Sequence, residues 1–218
     1  MKKIMALLLS AVLLITCFGN VFTVSASGAD IKLDNPPQSL HVDLMDALRH
    51  RQSTRSGFTS QEISRRDLAT ILWAANGINR KSGQRTAPAA LGKYFIALYL
   101  AANDGVYQYD PVKNLLKWVS DQNIKDRVGG QSDIGTASHV LIMVADLRLL
   151  PSFMAQPAKL AMAHGTAGTI AENVYLAAAA LKLGTRMVAG VKESDIRKEL
   201  QLSEEEVPLY IMPLGYIR

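Results

Sequence analysis

Arg51, Gln52, Ser53, Thr54 and Arg55 place two guanidiniums on either side of a hydroxyl within five residues. Arginine offers a planar fork of donors that matches the oxygens of a phosphate, and a nearby serine hydroxyl can donate to another oxygen of the same group. The spacing is compact enough to cradle one anion. Alone, Arg-x-Ser-x-Arg is unspecific, because two arginines near a helix end are commonly solvated or turned toward its terminal carbonyls. A second stretch, Arg85-Thr86-Ala87-Pro88-Ala89-Ala90, lies in a polar, glycine-containing loop from Gly77 to Gly92. A loop of that length inside a domain is usually functional or mobile, and small side chains after Pro88 would let a flat ligand approach the backbone. His41, His50, His139 and His164 are scattered without metal-ligand spacing, and no Gly-x-Ser-x-Gly elbow or Walker glycine loop is present.

The elements that must position these residues are legible from periodicity. Asp43 caps a helix whose apolar face is Leu44, Ala47 and Leu48, and this helix delivers Arg51. Ser64 and Asp67 form a capping box ahead of Leu68, Ile71, Leu72 and Ala75, with Gly77 expected as a left-handed stop. Trp73 lies off that face. Tyr94 to Leu100 has strand length and composition. Gly105 to Tyr109 and Leu115 to Val119 alternate around the turn residues that begin at Asp110 and Pro111, and so predict a hairpin. Ser138 to Ala145 is apolar on both parities, which predicts a strand buried on both faces. Ala167 to Leu183 is apolar nearly all round, as expected of a central helix or one packed on another subunit, with Gly184 as its stop. Arg186 to Ala189 predicts a short strand, Glu193 to Leu200 a helix led by Ser194, and Val207 to Leu214 a final strand. This order predicts an α+β fold, with a mixed central β-sheet flanked by helices.

Met1, Lys2 and Lys3 precede an apolar run from Ile4 to Ile15, the layout of a secretory signal. Val24-Ser25-Ala26 suits cleavage after Ala26, with Ala29 as a second position, and predicts an exported, periplasmic or extracellular protein. An uncleaved anchor is disfavoured because the clean apolar core is shorter than the about 20 residues a span needs. Cys17 is the only cysteine and falls inside this segment. Thr16 is larger than a lipoprotein signal prefers before its cysteine, so lipid anchoring is not favoured. Residues 27–42, with Asn35-Pro36-Pro37, read as an extended leader, and 43–218 as one domain with a full core. Without Lys2 and Lys3 the formal charge falls from +5 to +3, scattered rather than striped, which argues against a nucleic-acid partner.

Arg51 to Arg55, the Arg85 to Ala90 loop, the alanine-rich helix ending at Gly184, Val188-Ala189-Gly190 and Pro213-Leu214-Gly215-Tyr216 occur in one order. Together they resemble the nitroreductase-like family of FMN-dependent oxidoreductases over about Leu44 to Arg218. Leu72 to Gly77 followed by Arg85-Thr86-Ala87-Pro88, and the hairpin with Val106-Tyr107-Gln108-Tyr109-Asp110-Pro111, are similar to the subgroup of SagB-type peptide azoline dehydrogenases. The resemblance implies a homodimer with FMN in the dimer interface. It implies that Arg51 contacts the FMN phosphate, Gln52 and Ser53 the ribityl and phosphate region, and Arg55 the ring or its pyrimidine edge. It further implies that Pro88, Ala89 and Ala90 come from the second subunit, that Val188, Ala189 and Gly190 approach the ring near N5, and that Arg218 is a phosphate ligand.

A flavin carries its own redox chemistry, so no dedicated acid or base is required of the chain. The acceptor is expected to be a small organic, quinone or nitro compound. Export makes NAD(P)H, a mainly cytoplasmic donor, questionable. Two departures stand out: Ala89 replaces the serine common after the loop proline, and Leu91-Gly92-Lys93 replaces a small stretch. They keep open the alternative of a non-catalytic flavin-binding or interaction protein.

Overall fold

The computed structural model describes residues 28–218, so the expected signal at 1–26 and Cys17 lie outside the described residues. In chain order the elements are β1 (Ile31–Lys32), α1 (Leu44–His50), α2 (Arg65–Asn76), β2 (Ile96–Ala102), β3 (Gly105–Asp110), β4 (Leu115–Ser120), β5 (His139–Asp146), α3 (Gln156–Ala180), β6 (Gly184–Thr185), α4 (Glu193–Leu200) and β7 (Glu206–Gly215). The strands form one seven-stranded sheet in the order β1-β4-β3-β2-β5-β7-β6.

The α+β fold holds, but every strand pairing among the described residues is antiparallel, where a mixed sheet was expected. Tight turns link β2, β3 and β4 and impose that orientation. The crossover from β5 through α3 does bring β6 back in the direction of β5. The last strand, β7, then inserts between them and runs against both.

The sheet separates two apolar layers. Leu141, Met143 and Ala145 of β5 join Leu98 and Leu100 beneath α2 and α3, packed with Ile71, Leu72, Ile170 and Val174. Val140, Ile142 and Val144 face the opposite layer, with Ile134, Ile196 and Ile211. The two parities of β5 thus serve two cores, as its doubly apolar sequence requires.

Local rules explain the helix ends, with some corrections. Asp43 caps α1 by accepting the Asp46 N–H, and Ser64 caps α2 by accepting the Asp67 N–H at 3.1 Å. Gly77 ends α2 with φ −78° and ψ 163°, which is extended and not left-handed. A Cβ there would sit 2.4 Å from Trp73 Cδ1, so the glycine permits close approach of the indole, whose Nε1–H donates to the Ile78 carbonyl at 3.0 Å. Helix α3 begins at Gln156 rather than Ala167, with proline in its first turn.

Its stop is Lys182 rather than Gly184. Lys182 has φ +59°, its N–H reaches the Ala179 carbonyl at 3.1 Å, and the Leu183 N–H reaches the Ala178 carbonyl at 2.8 Å. This is a Schellman pair built on a lysine. Gly184 instead makes room for Ile217, whose Cγ2 would lie 2.4 Å from an added Cβ. Lys192, not Ser194, occupies the N-cap of α4, without a side-chain cap; Glu193 and Asp195 in the first turn meet the positive helix end. On α1, Ala47 is buried while Leu44, Met45 and Leu48 are exposed.

Candidate functional site

The segment after α1 is held at the edge of the sheet by backbone bonds. The Thr54 N–H donates to the Thr185 carbonyl at 2.9 Å, tying the segment to β6. The Thr59 N–H donates to the Tyr216 carbonyl, Phe58 and Ile217 form an antiparallel bridge, and the Arg218 N–H donates to the Gly57 carbonyl at 3.0 Å. Residues 51–58 therefore lie between the end of α3 and the C-terminal residues, and Arg218 is brought beside them.

Tyr175 of α3 joins this segment to the loop after β6. Its hydroxyl accepts the Met187 N–H at 2.7 Å and lies 3.0 Å from Ser53 Oγ, to which it can give its own proton. The Arg51 guanidinium carbon sits 5.0 Å from the centre of the Tyr175 ring, a cation–π contact. Arg186 supplies a second link. Its Nη1 donates to the carbonyls of Thr54 at 2.9 Å and Arg55 at 3.1 Å, and its fork closes on Asp133 at 2.6 and 2.9 Å. The Arg186 hydrogen bonds hold the Asp133 carboxyl below the usual carboxylate range against the opposing effect of burial.

Asp133 is in turn fixed by its loop. The buried Lys125 ammonium donates to Asn103 Oδ1 at 2.6 Å and to the carbonyls of Ala137 at 2.8 Å and Ser138 at 3.2 Å. Gly129 bridges Val191, and the Lys192 N–H donates to the Val128 carbonyl.

Arg55, Val188, Ala189 and Gly190 line one cavity of about 430 Å³, together with Gln131 and Asp133. The backbone at Gly190 is open on the cavity side: the nearest atom to an added Cβ is Gln131 Nε2, at 4.0 Å. A larger cavity of about 660 Å³ adjoins the segment, with Gln52, His50, Lys182 and the Tyr175 ring on its wall. Thr185 also lines it, is buried, and has an Oγ1 without a hydrogen-bond partner among the described residues. Arg51, Arg55 and Arg218 pair with no carboxylate among the described residues, in contrast to Arg186.

One chain thus brings together Arg51, Gln52, Ser53, Arg55, Val188, Ala189, Gly190 and the backbone of Arg218. It leaves Pro88, Ala89 and Ala90 apart: these line neither cavity, and Ala90 opens a short 3₁₀ turn to Gly92 that packs on the α2 side of the core. The expected strand at Arg186 to Ala189 is reduced to a single bridge between Val188 and Ile211, because Arg186 turns to Asp133 and Met187 to Tyr175. Sequence reasoning missed Tyr175, Arg186, Gln131 and Asp133. An aromatic hydroxyl in an otherwise alanine-rich helix was the available signal for Tyr175.

The chain is similar to proteins of one family. A sequence model of the nitroreductase family matches residues 48–216. A relative from Methanocaldococcus jannaschii that bears the nitroreductase name is 30% identical over 189 residues, covering 82% of this chain and 93% of its own. A crystal structure from Ralstonia eutropha, also described as a nitroreductase, superposes with a TM-score of 0.82 at 31% identity, covering 89% of this chain and 92% of that one. The Escherichia coli microcin synthetase complex McbBCD, bound to truncated pro-MccB17, contains a chain with a TM-score of 0.68 at 21% identity, covering 97% and 85%. At that identity the likeness is one of fold.

Proposed function

The chain belongs to the nitroreductase family, an oxidoreductase family that typically works with flavin, and we propose that it binds FMN on the Arg51–Arg55 segment as a homodimer. The observation that carries the reading is that Arg51 and Arg55, which pair with no carboxylate among the described residues, flank Ser53 on a segment whose Gly57 carbonyl holds the Arg218 N–H, and that Arg55 lines one cavity with the open backbone of Gly190. That donor set fits a phosphate and the hydrogen-bond-accepting edge of a planar ring. Arg51, Ser53 and Arg218 would hold the phosphate, Gln52 and Thr185 Oγ1 offer polar contacts on the adjoining wall, and Arg55 would lie at the ring.

FMN, when bound, would supply hydride or electron transfer between a reductant and a small organic, quinone or nitro acceptor. The chain's own work is to bind, orient and set charge. Tyr175 keeps the phosphate segment and the ring loop at one separation, and positive charge at Arg55 favours added negative charge nearby. Asp133 neutralises Arg186, so that Arg186 serves as a brace.

The homodimer reading is supported by the exposed apolar side chains of α1, Leu44, Met45 and Leu48, next to the end of α3. A second copy would cover them and could bring its Pro88–Ala90 loop to the flavin. Arg85-Thr86-Ala87-Pro88 and the β3–β4 hairpin, with the fold likeness to the microcin synthetase chain, support placement near the SagB-type azoline dehydrogenases.

The test is the absorbance spectrum of purified protein after incubation with FMN and gel filtration, paired with Arg51→Ala. Retained flavin bands, and an FMN affinity at least about tenfold weaker in the variant, are expected. Unchanged affinity in Arg51→Ala would overturn the assignment. Oxidation of a reduced donor with a quinone or nitroaromatic then separates an enzyme from a protein that holds FMN without turnover.

A further inference from the structure

Arg85 takes no part in the site above, yet it is held as firmly as a binding residue. Its backbone N–H donates to the Tyr94 hydroxyl at 3.1 Å, and its guanidinium lies 4.3 Å from the centre of the same ring. The loop that carries it is fastened to the end of α2. Ile78 bridges Arg85, the Thr86 N–H donates to the Gly77 carbonyl at 2.9 Å, and Thr86 Oγ1 donates to the Trp73 carbonyl at 3.1 Å. Among the described residues no carboxylate pairs with the guanidinium, and its N–H groups have no hydrogen-bond partner.

Arg85 opens onto a cavity of about 440 Å³ whose walls include Tyr94, Tyr99 and Tyr109, with Lys117 at the mouth. Tyr109 is only 6% exposed, and its hydroxyl also has no hydrogen-bond partner among the described residues. Burial pushes Tyr109 up to about 12, so the phenol keeps a proton to donate. The Tyr99 hydroxyl accepts a long bond of 3.4 Å from Gln108 Nε2, which leaves its own proton free to give.

The acceptors around the same cavity are only partly engaged. Asp110 accepts the N–H groups of Val112 and Lys113, Asp146 accepts three N–H groups of Arg148, and Glu206 accepts the Ser203 N–H. Asp110 Oδ2 and Glu206 Oε1 accept no bond among the described residues, and the unspent donors are a guanidinium fork, two phenols and an ammonium.

We propose that this cavity binds a small monoanionic aryl carboxylate, its two oxygens taken by the Arg85 fork and the Tyr109 hydroxyl. Bidentate geometry favours a planar oxyanion, and the tyrosine walls favour an aromatic body. Asp110, Asp146 and Glu206 on the wall disfavour a second negative charge, which selects carboxylate over a phosphate dianion.

The test is a ¹⁹F NMR titration of 4-fluorobenzoate with the full chain, alongside 4-fluorobenzyl alcohol and phenyl phosphate. Saturable binding of the benzoate is expected, with none of the alcohol and weaker binding of the phosphate. R85K keeps the charge but loses the fork and should weaken binding about tenfold; Y109F should weaken it severalfold. Absence of saturation in the wild-type chain, equal affinity in both variants, or a phosphate bound as tightly as the benzoate would overturn the proposal. Should R85K fail to fold, as judged by its thermal melt, Y109F decides the matter, because it removes one hydroxyl and no packing.

Discussion

The hydroxyl of Tyr175 lies 3.0 Å from that of Ser53, across 122 residues of sequence, and the same oxygen accepts the Met187 N–H. One atom therefore sets the separation between the arginine segment and the loop that lines the cavity beside Arg55. Tyr175→Phe keeps the ring under Arg51 and removes both bonds. It should cost about 1–2 kcal/mol of stability and weaken FMN binding about tenfold, read by urea denaturation and by flavin fluorescence titration. A variant with wild-type FMN affinity would show that the separation is set elsewhere.

Asp133→Asn should strip the buried Arg186 of its counter-charge and cost about 2–4 kcal/mol at neutral pH. The pH dependence follows from the depressed carboxyl. Its contribution is fully present above the unfolded value of about 3.9 and is lost as pH falls through the lower folded value. Urea midpoints of the wild-type chain should thus decline from about pH 5 downward, and less steeply in Asp133→Asn. Asp146, lowered through its bonds to Arg148, keeps part of the slope in the variant.

Gly77→Ala tests a steric claim rather than a conformational one. The backbone there is acceptable to any residue, but the new methyl would meet the indole of Trp73 at 2.4 Å. A loss of about 1–3 kcal/mol in urea denaturation is expected, with altered tryptophan fluorescence. Unchanged stability would mean that the indole can move aside freely.

Lys182→Gly should act in the opposite direction. The left-handed backbone at Lys182 costs a lysine about 1 kcal/mol that glycine does not incur, so the variant should be more stable by about that amount in the same assay. Lys182 also lines the larger cavity, which gives a reason for a charged side chain in a strained position.

If a second copy covers α1, Met45→Glu with Leu48→Glu should convert a dimer to a monomer in sedimentation equilibrium. The helix itself should survive, because both residues are solvent-facing in the single chain and Ala47 carries its buried contact. A wild-type chain that sediments as a monomer would rule out the reading.

Periodicity and capping residues made most of the fold legible. Asp43, Ser64 and the double apolar parity of β5 each determine structure through neighbours close in sequence. The start of α3 was not legible: Ala155 provides no side-chain cap, Pro157 reads as a break, and His164, Gly165, Thr166 and Gly168 interrupt the apolar pattern. The chain end of the same helix was misplaced because a glycine two residues further on suggested the turn that Lys182 makes. The direction of β7 depends on its insertion between β5 and β6, a long-range choice that no local pattern encodes.

At the site, the arginines were visible by type, whereas their supports were not. Arg186 and Asp133 meet across 53 residues. Nothing in the irregular 121–137 loop marks Asp133 as half of a pair.

Arg186 grips Thr54 and Arg55 through their carbonyl oxygens. A carbonyl is the same whatever side chain it belongs to, so the brace is blind to the identity of residue 55. The charge at that position can therefore drift over evolution, or be exchanged by an engineer to retune a bound cofactor's potential, while the scaffold that presents it stays in register.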